Sequence, residues 1–268
     1  MLGAIVGDVA GSVYEFRPVQ GDWDDFPLFT PKSRFTDDTV MTLAVADSLR
    51  LESDPSRLGA MFVDKMHEYG KKWPKAGYGM RFAQWLMFGQ RDPYNSFGNG
   101  SAMRVSVLGW AASSLEEAEK LAALSAEVTH NHPEGIKGAQ ATAGAIYLAR
   151  QGKSRQDIRD YASQRYGYDM DRSLAQIRET YRYDITCQGS VPEAIIAFLE
   201  SGDFEQAIRK AIWLRGDADT QAAIAGSIAE AFYGGVPASL AEPALGTLDE
   251  GLLESYQKNR DWLNGQRP

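Results

Sequence analysis

The segment Thr36-Asp37-Asp38-Thr39-Val40-Met41-Thr42-Leu43-Ala44-Val45-Ala46-Asp47-Ser48-Leu49-Arg50-Leu51 opens on two adjacent acids set between threonines. It continues with Val40, Met41, Ala44, Val45, Ser48 and Leu49 at the spacing of one helix face. The spacing predicts a helix over Val40–Leu51 that begins directly behind an acidic cluster. Asp217-Ala218-Asp219-Thr220 has the same form near the other end of the chain and leads a predicted helix, Asp219–Phe232, that stops at Gly234-Gly235. Between these two segments the signals are also helical. Ser114-Leu115-Glu116-Glu117 has the form of a capping box and opens an alanine-rich run to Val128. Gly135–Arg150 carries small residues on a helical repeat, and Pro192 reads as the first-turn proline of Glu193–Glu200, ended by Gly202. Asp203 and Gln206 form a cap for a helix through Leu214. Strand signals are few and no strand–helix alternation occurs, so the fold class expected is all-α. Alanine- and glycine-rich helices of this kind permit close approach. Pro18–Arg34, Lys71–Tyr78, Gly89–Gly100 and Thr129–Gly135 read as loops. No linker or repeat divides the chain, and one domain over 1–268 is expected.

The bulk properties bound the function. The chain has 268 residues, 44% hydrophobic, and a formal net charge of −8. That describes a globular protein with a sizeable core. The acidic balance and the lack of any basic run weigh against a nucleic-acid partner. Cys187 is the single cysteine, which fits a reducing, cytoplasmic setting. No apolar run approaches the roughly 20 residues of a membrane span, and the N-terminal segment meets Asp8 too early to be the core of a signal peptide.

The two acidic clusters hold Asp37, Asp38, Asp217 and Asp219 with hydroxyls beside them and neither histidine nor cysteine. An oxygen-only donor set suits Mg²⁺, Mn²⁺ or Ca²⁺ and suits zinc poorly. Helix capping accounts for one such acid at a helix start, and for a second through the helix dipole. It does not account for adjacent Asp37 and Asp38, which repel one another unless a cation or solvent screens them. The expectation is therefore two helix N-termini facing each other across a centre of two divalent ions. Asp8 and Glu15 lie seven apart and would share a face if helical. Glu15 is a candidate general base or further ligand, with a solvated surface acid as the alternative. Phe97-Gly98-Asn99-Gly100-Ser101-Ala102-Met103-Arg104 reads as a turn whose amides approach a ligand, phosphate above all, or as an ordinary loop before a helix. Thr129-His130-Asn131-His132-Pro133-Glu134-Gly135 reads as a connecting loop with one histidine aimed at a ligand. His67, in a predicted helix, carries no assigned role.

Taken together, Gly7-Asp8-x-x-Gly11, Phe35-Thr36-Asp37-Asp38-Thr39, Gly98-Asn99-Gly100-x-x-Met103-Arg104, Thr129-His130 and Gly216-Asp217-x-Asp219-Thr220 resemble the ADP-ribosylglycohydrolase family. Each motif is weak alone, and five in this order are specific. The resemblance implies an all-α fold with a central metal-binding cleft holding two Mg²⁺ or Mn²⁺ ions, ligated by Thr36, Asp37 and Asp38 from one side and by Asp217, Asp219 and Thr220 from the other. It implies a catalytic or gating role for Glu15, with Asp37 and Asp38 steering water or taking its proton. Ser96, Phe97 and His130 match positions that hold ADP-ribose, with Gly98, Asn99 and Gly100 in the same loop, and Tyr78-Gly79 matches a further ligand loop. The implied activity is hydrolysis of the glycosidic bond between ADP-ribose and an acceptor, such as a protein arginine or serine. The alternatives are a hydrolase of a free derivative (O-acyl-ADP-ribose or an ADP-ribosylated small molecule) and a non-catalytic, crystallin-like binder. One departure stands out: Arg215 occupies the first glycine of the Gly-Gly-Asp that members often carry, where it would contact a substrate phosphate or reshape the pocket.

Overall fold

A computed structural model describes residues 1–266; the last two residues of the expected 1–268 domain lie outside the described residues. The helices are α1 (Leu2–Gly11), α2 (Asp37–Leu51), α3 (Pro55–Lys72), α4 (Met80–Met87), α5 (Gly100–Met103), α6 (Ser106–Ala111), α7 (Leu115–Glu127), α8 (Pro133–Arg150), α9 (Arg155–Tyr166), α10 (Leu174–Thr180), α11 (Cys187–Leu199), α12 (Phe204–Trp213), α13 (Ala218–Phe232), α14 (Ala238–Leu245) and α15 (Glu250–Gly265). No strand occurs among the described residues. A single β-bridge joins Gly98 to Thr186, with Asn99 N–H donating to the Ile185 carbonyl at 2.8 Å and Cys187 N–H to that of Phe97 at 2.9 Å.

The small residues of the sequence explain the packing at the centre. Gly3, Gly7 and Gly11 recur every four positions and so form one stripe along α1. A Cβ on Gly3 would stand 2.1 Å from the Gly226 carbonyl oxygen, one on Gly7 2.1 Å from that of Ala222, and one on Gly11 2.4 Å from the Asp219 Cα. Backbone therefore touches backbone along α1 and α13, and every residue of α1 from Gly3 to Gly11 is buried. The same helix pair carries Asp8 and Asp219 into the interior side by side.

Several elements differ from their expected limits. α1 ends at Gly11: Ser12 Oγ turns back to the Val9 carbonyl at 2.9 Å, a local bond that competes with helix continuation. Tyr14 then closes a tight turn on Gly11. Asp8 and Glu15 thus do not share a helix face; Glu15 stands in the turn beyond. α11 begins at Cys187, not Glu193, because Thr186 caps it by accepting from Gly189 N–H at 3.1 Å. Pro192 consequently lies inside the helix, where it leaves the Gln188 carbonyl without its i+4 donor. α8 begins at Pro133, and His132 is its N-cap, its Nδ1 accepting from Glu134 N–H at 3.1 Å. The expected Ser114 cap forms, accepting from Glu117 N–H at 3.1 Å, but Glu117 reaches back to Ser113 and not to Ser114.

Candidate metal centre and ligand cavity

The N-termini of α2 and α13 meet. Thr220 Oγ1 donates to Asp38 Oδ2 at 3.2 Å across 182 positions. The capping explanation holds for one cluster only. Thr36 caps α2 by accepting from Asp38 N–H at 3.3 Å, whereas Asp217, at the N-cap position of α13, makes no side-chain cap. Its Oδ2 accepts from Asn99 Nδ2 at 2.8 Å instead. Capping therefore leaves Asp37, Asp38, Asp217 and Asp219 unexplained.

Carboxylate oxygens of Asp8, Asp38 and Asp219 lie within 4.8 Å of one another, as do those of Glu15, Asp217 and Asp219. Asp8, Asp38, Asp217 and Asp219 are buried, and among the described residues no lysine, arginine or histidine pairs with any of them within 4 Å. Burial first, then the neighbouring carboxylates, raise Asp37 to about 8 and hold Asp38 and Asp219 well above the carboxylate range. Asp38 Oδ1 is buried with no partner. An uncompensated buried charge costs several kcal/mol. The donor set therefore fits divalent cations of the hard, oxygen-seeking kind, and Thr36, Asp37, Asp38, Asp217, Asp219 and Thr220 all line one cavity.

Asp8 is the functional residue that sequence reasoning quoted in a motif but gave no role. It differs from the other acids of its group in the number of donors that already face it. Oδ1 accepts from Thr36 Oγ1 at 2.6 Å. Oδ2 accepts from Thr36 N–H at 2.9 Å, Thr39 N–H at 3.1 Å and Thr39 Oγ1 at 2.5 Å. Asp8 thus orients the α2 N-terminus, and by claiming the Thr36 proton it leaves a Thr36 lone pair for a cation.

A cavity of about 430 Å³ opens over these acids. Glu15, Asp37, Asp38, Asp217 and Asp219 lie at one end, and Gly79, Ser96, Gly98, Asn99, Gly100 and His130 contribute to the remaining wall. Arg34, Arg81, Tyr94, Arg104 and Tyr183 also line it and were not anticipated as site residues. Tyr78, Phe97 and Arg215 do not line it. The Tyr78 ring packs 5.6 Å from Phe82 with its hydroxyl buried and unpartnered. Phe97 turns outward, 42% exposed, with its ring 5.2 Å from that of His132. Arg215 adopts φ +69°, the left-handed conformation that glycine favours, and its charge acts on Arg178. A larger cavity of about 840 Å³ lies elsewhere, by Met1 and Glu230. Its one carboxylate, Glu230, is already bonded to the α-amino group and Gly3 N–H, so the chemistry belongs to the smaller cavity.

The proton arrangement at His130 follows from its neighbours. Arg104, wholly buried, donates to Thr129 Oγ1 at 3.0 Å. The Thr129 proton then has His130 Nδ1, 2.7 Å away, as its acceptor. Burial, then the charges of Arg104 and Arg81, hold the imidazole pKa well below its ordinary value. His130 is therefore neutral, and with Nδ1 engaged by Thr129 its Nε2 is left facing Gly98 and Gly100. That nitrogen is the one the ring offers to a ligand. In the glycine-rich loop, the Gly98 amide is taken by Ser96 Oγ and the Asn99 amide by Ile185. The expected nest of amides is thus reduced at its first two positions, and the Asn99 side chain serves to hold Asp217.

Against known proteins, the family model described as ADP-ribosylglycohydrolase matches residues 1–264. The chain is 30% identical to the human (Homo sapiens) protein named ADP-ribosylhydrolase ARH3, over 87% of the chain and 84% of that protein. It is 26% identical to ADP-ribosylarginine hydrolase Tri1 of Pseudomonas putida (strain GB-1), over 87% of the chain and 69% of that protein. Among solved structures, one titled ADP-ribosylglycohydrolase-related protein complex superposes with a TM-score of 0.68 at 26% identity, covering 99% of this chain and 96% of that one.

Proposed function

The chain belongs to the ADP-ribosylglycohydrolase family, and from that premise we propose that it is a divalent-metal-dependent hydrolase of the glycosidic bond between ADP-ribose and an acceptor, releasing ADP-ribose. The observation that carries this reading is the meeting of two acidic helix N-termini, with a buried, unpartnered Asp38 oxygen, on the floor of a ligand-sized cavity.

In this reading Thr36, Asp37, Asp38, Asp217, Asp219 and Thr220 hold two Mg²⁺ or Mn²⁺ ions. The ions, when bound, supply Lewis acidity toward ribose hydroxyls and acidify a water. Asp37, Asp38 or Glu15 takes the proton of the attacking water; all three line the cavity, and burial raises the pKa of each. Cleavage at the anomeric carbon builds oxocarbenium character, which the surrounding carboxylates stabilise. His130 Nε2, Ser96 and the Gly98–Gly100 loop bind the diphosphate, so that remote contacts position the reacting carbon. Asn99 links the two regions by holding Asp217 in place.

The substrate is an ADP-ribosylated protein side chain or small molecule, and the names of the relatives support the ADP-ribosyl part of that statement. No helix among the described residues is long and apolar enough to cross a membrane. The reading of a cytoplasmic protein rests on the single cysteine, buried and free. Thermal melting with Mn²⁺, then with ADP-ribose added, tests the site: stabilisation by ADP-ribose only when metal is present supports it. Release of ADP-ribose from arginine-linked, serine-linked, acyl-linked and small-molecule-linked substrates tests the reaction. Metal-dependent binding without release from any of them would replace the hydrolase with a silent ADP-ribose binder.

A further inference from the structure

Glu15 is the one member of the acidic group that stands neither in a helix nor at a helix N-cap. It stands in the turn after α1, with a carboxylate oxygen within 4.8 Å of oxygens of Asp217 and Asp219. Like charges at that range repel, and solvent is open on the other side. Arg34 faces Glu15 at the cavity mouth but forms no ion pair with it. Among the described residues the carboxylate receives one hydrogen bond, from Tyr183 Oη at 3.0 Å, across 168 positions of sequence. The Tyr183 ring is held in turn by Phe16, the neighbour of Glu15, with centroids 5.7 Å apart. Phe16 is 75% and Tyr183 46% exposed. Two aromatic rings left this open contribute little to the core, and both line the cavity mouth.

We propose that Tyr183 is a positioning residue: its hydroxyl tethers Glu15 against the Asp217–Asp219 side of the centre, and Phe16 keeps the phenol in register. The inference rests on the hydrolase reading for its kinetic consequence and on the metal-site reading for its binding consequence. Without the hydroxyl, the Glu15 carboxylate turns outward to water, where it is fully hydrated and away from its like-charged neighbours.

The test is a double-mutant cycle on the full chain: wild type, Tyr183→Phe, Glu15→Ala and the double variant. Mn²⁺ affinity is read by calorimetry and ADP-ribose release by steady-state kinetics. Tyr183→Phe keeps the ring against Phe16 at an exposed position, and its melting temperature serves as the check on folding. A hydrogen bond to a charged group is large enough that Tyr183→Phe should lower kcat about tenfold, with KM changed by less than about twofold. The same change should weaken Mn²⁺ binding by about threefold or more, and should have no further effect in the Glu15→Ala background. A merely structural role would instead give the same loss in both backgrounds. That additive result overturns the proposal, as does a Tyr183→Phe protein matching wild type in both measurements, or a wild-type chain that binds no Mn²⁺. If wild type binds Mn²⁺ but releases ADP-ribose from no linkage, the hydrolase reading fails alone and the cycle is decided by Mn²⁺ affinity.

Discussion

Asp8 and Thr36 are joined twice across 28 positions, the Asp8 carboxylate accepting both the Thr36 amide at 2.9 Å and its hydroxyl at 2.6 Å. Asp8 rides on α1, locked against α13, and Thr36 is the N-cap of α2. The two residues therefore fix the start of α2 relative to α13, the geometry on which the metal centre depends. In Asp8→Asn, the amide NH₂ must face at least one of the four donors that the carboxylate now satisfies. That change should cost about 1–3 kcal/mol of stability, read by chemical denaturation. It should also weaken Mn²⁺ binding by about 10- to 100-fold, as loss of an orienting partner does at metal sites. Wild-type Mn²⁺ affinity in this variant would remove Asp8 from the support of the centre.

The crowded acids set a pH dependence for the metal-free protein. Asp37 is raised to about 8 and Asp38 and Asp219 stand well above 3.8, chiefly through burial. A carboxyl whose folded pKa exceeds its unfolded value binds protons more tightly in the folded state. Its stabilisation is present in full below the unfolded pKa and is lost as pH rises through the folded one. His130 acts oppositely, since its depressed pKa removes stability as pH falls below 6.5. Above pH 6.5 the His130 contribution is already complete, so the raised carboxyls should make the melting temperature of metal-stripped protein fall between pH 6.5 and 8. Mn²⁺ should restore more stability at pH 8 than at pH 6.5, because protons compete with metal for the same oxygens. Flat melting temperatures with and without Mn²⁺ would contradict the raised carboxyls.

The fold class was legible because helix period, caps and small-residue repeats are local signals. Val40–Leu51 and Asp219–Phe232 stand where their periodicity places them, extended into the acidic clusters by three residues and by one. The meeting of those clusters was legible only as a hypothesis, because no spacing in sequence encodes a contact across 182 positions. Whether Asp8 and Glu15 share a helix face was left conditional in the sequence, because the turn at Ser12 carries a side-chain bond that periodicity does not register. Tyr183 gave no signal at all, since its role is a single hydrogen bond from a segment between two helices. Arg215 stood out as a departure from a glycine motif, and its positive φ shows what that glycine supplies: a left-handed backbone.

Arg215 therefore invites a substitution. An arginine at φ +69° carries a left-handed conformation costing about 1–2 kcal/mol, and its Nε is buried without a partner. Arg215→Gly relieves both, while adding about 0.4–1 kcal/mol of unfolded-chain entropy. The expected outcome is a denaturation midpoint at or slightly above wild type, with KM for the substrate unchanged, because the side chain does not line the cavity. A severalfold rise in KM would return Arg215 to the substrate site.

The glycine stripe of α1 makes a sharper demand. A Cβ on Gly7 would stand 2.1 Å from the Ala222 carbonyl oxygen and 2.5 Å from the Ala223 nitrogen, both backbone atoms that cannot rotate away. Gly7→Ala must separate α1 from α13, and overpacking of this kind costs about 1–3 kcal/mol or more. Because Asp8 follows directly and Asp219 lies on the facing helix, the displacement should also weaken Mn²⁺ binding. Gly59→Ala, inside α3 where a Cβ meets nothing within 4 Å, is the control: it should gain about 0.5–1 kcal/mol of helix propensity and leave Mn²⁺ binding unchanged. A Gly7→Ala midpoint equal to that control would show that the helices are not in backbone contact.

Asp219 faces both carboxylate groups, sharing one with Asp8 and Asp38 and the other with Glu15 and Asp217. It is the residue common to the two, so its charge bears on both groups. Asp219→Asn removes that charge while keeping the side-chain volume, and the Thr220 amide that Asp219 Oδ1 accepts at 2.9 Å can still find the Asn oxygen. Folding should survive, and the metal-free protein should gain stability at pH 8, where one buried like charge has gone. Mn²⁺ affinity and ADP-ribose release should fall together, each by at least about tenfold. Calorimetry that returns the wild-type Mn²⁺ affinity for this variant would sink the assignment of Asp219 as a ligand, whatever happens to the rate.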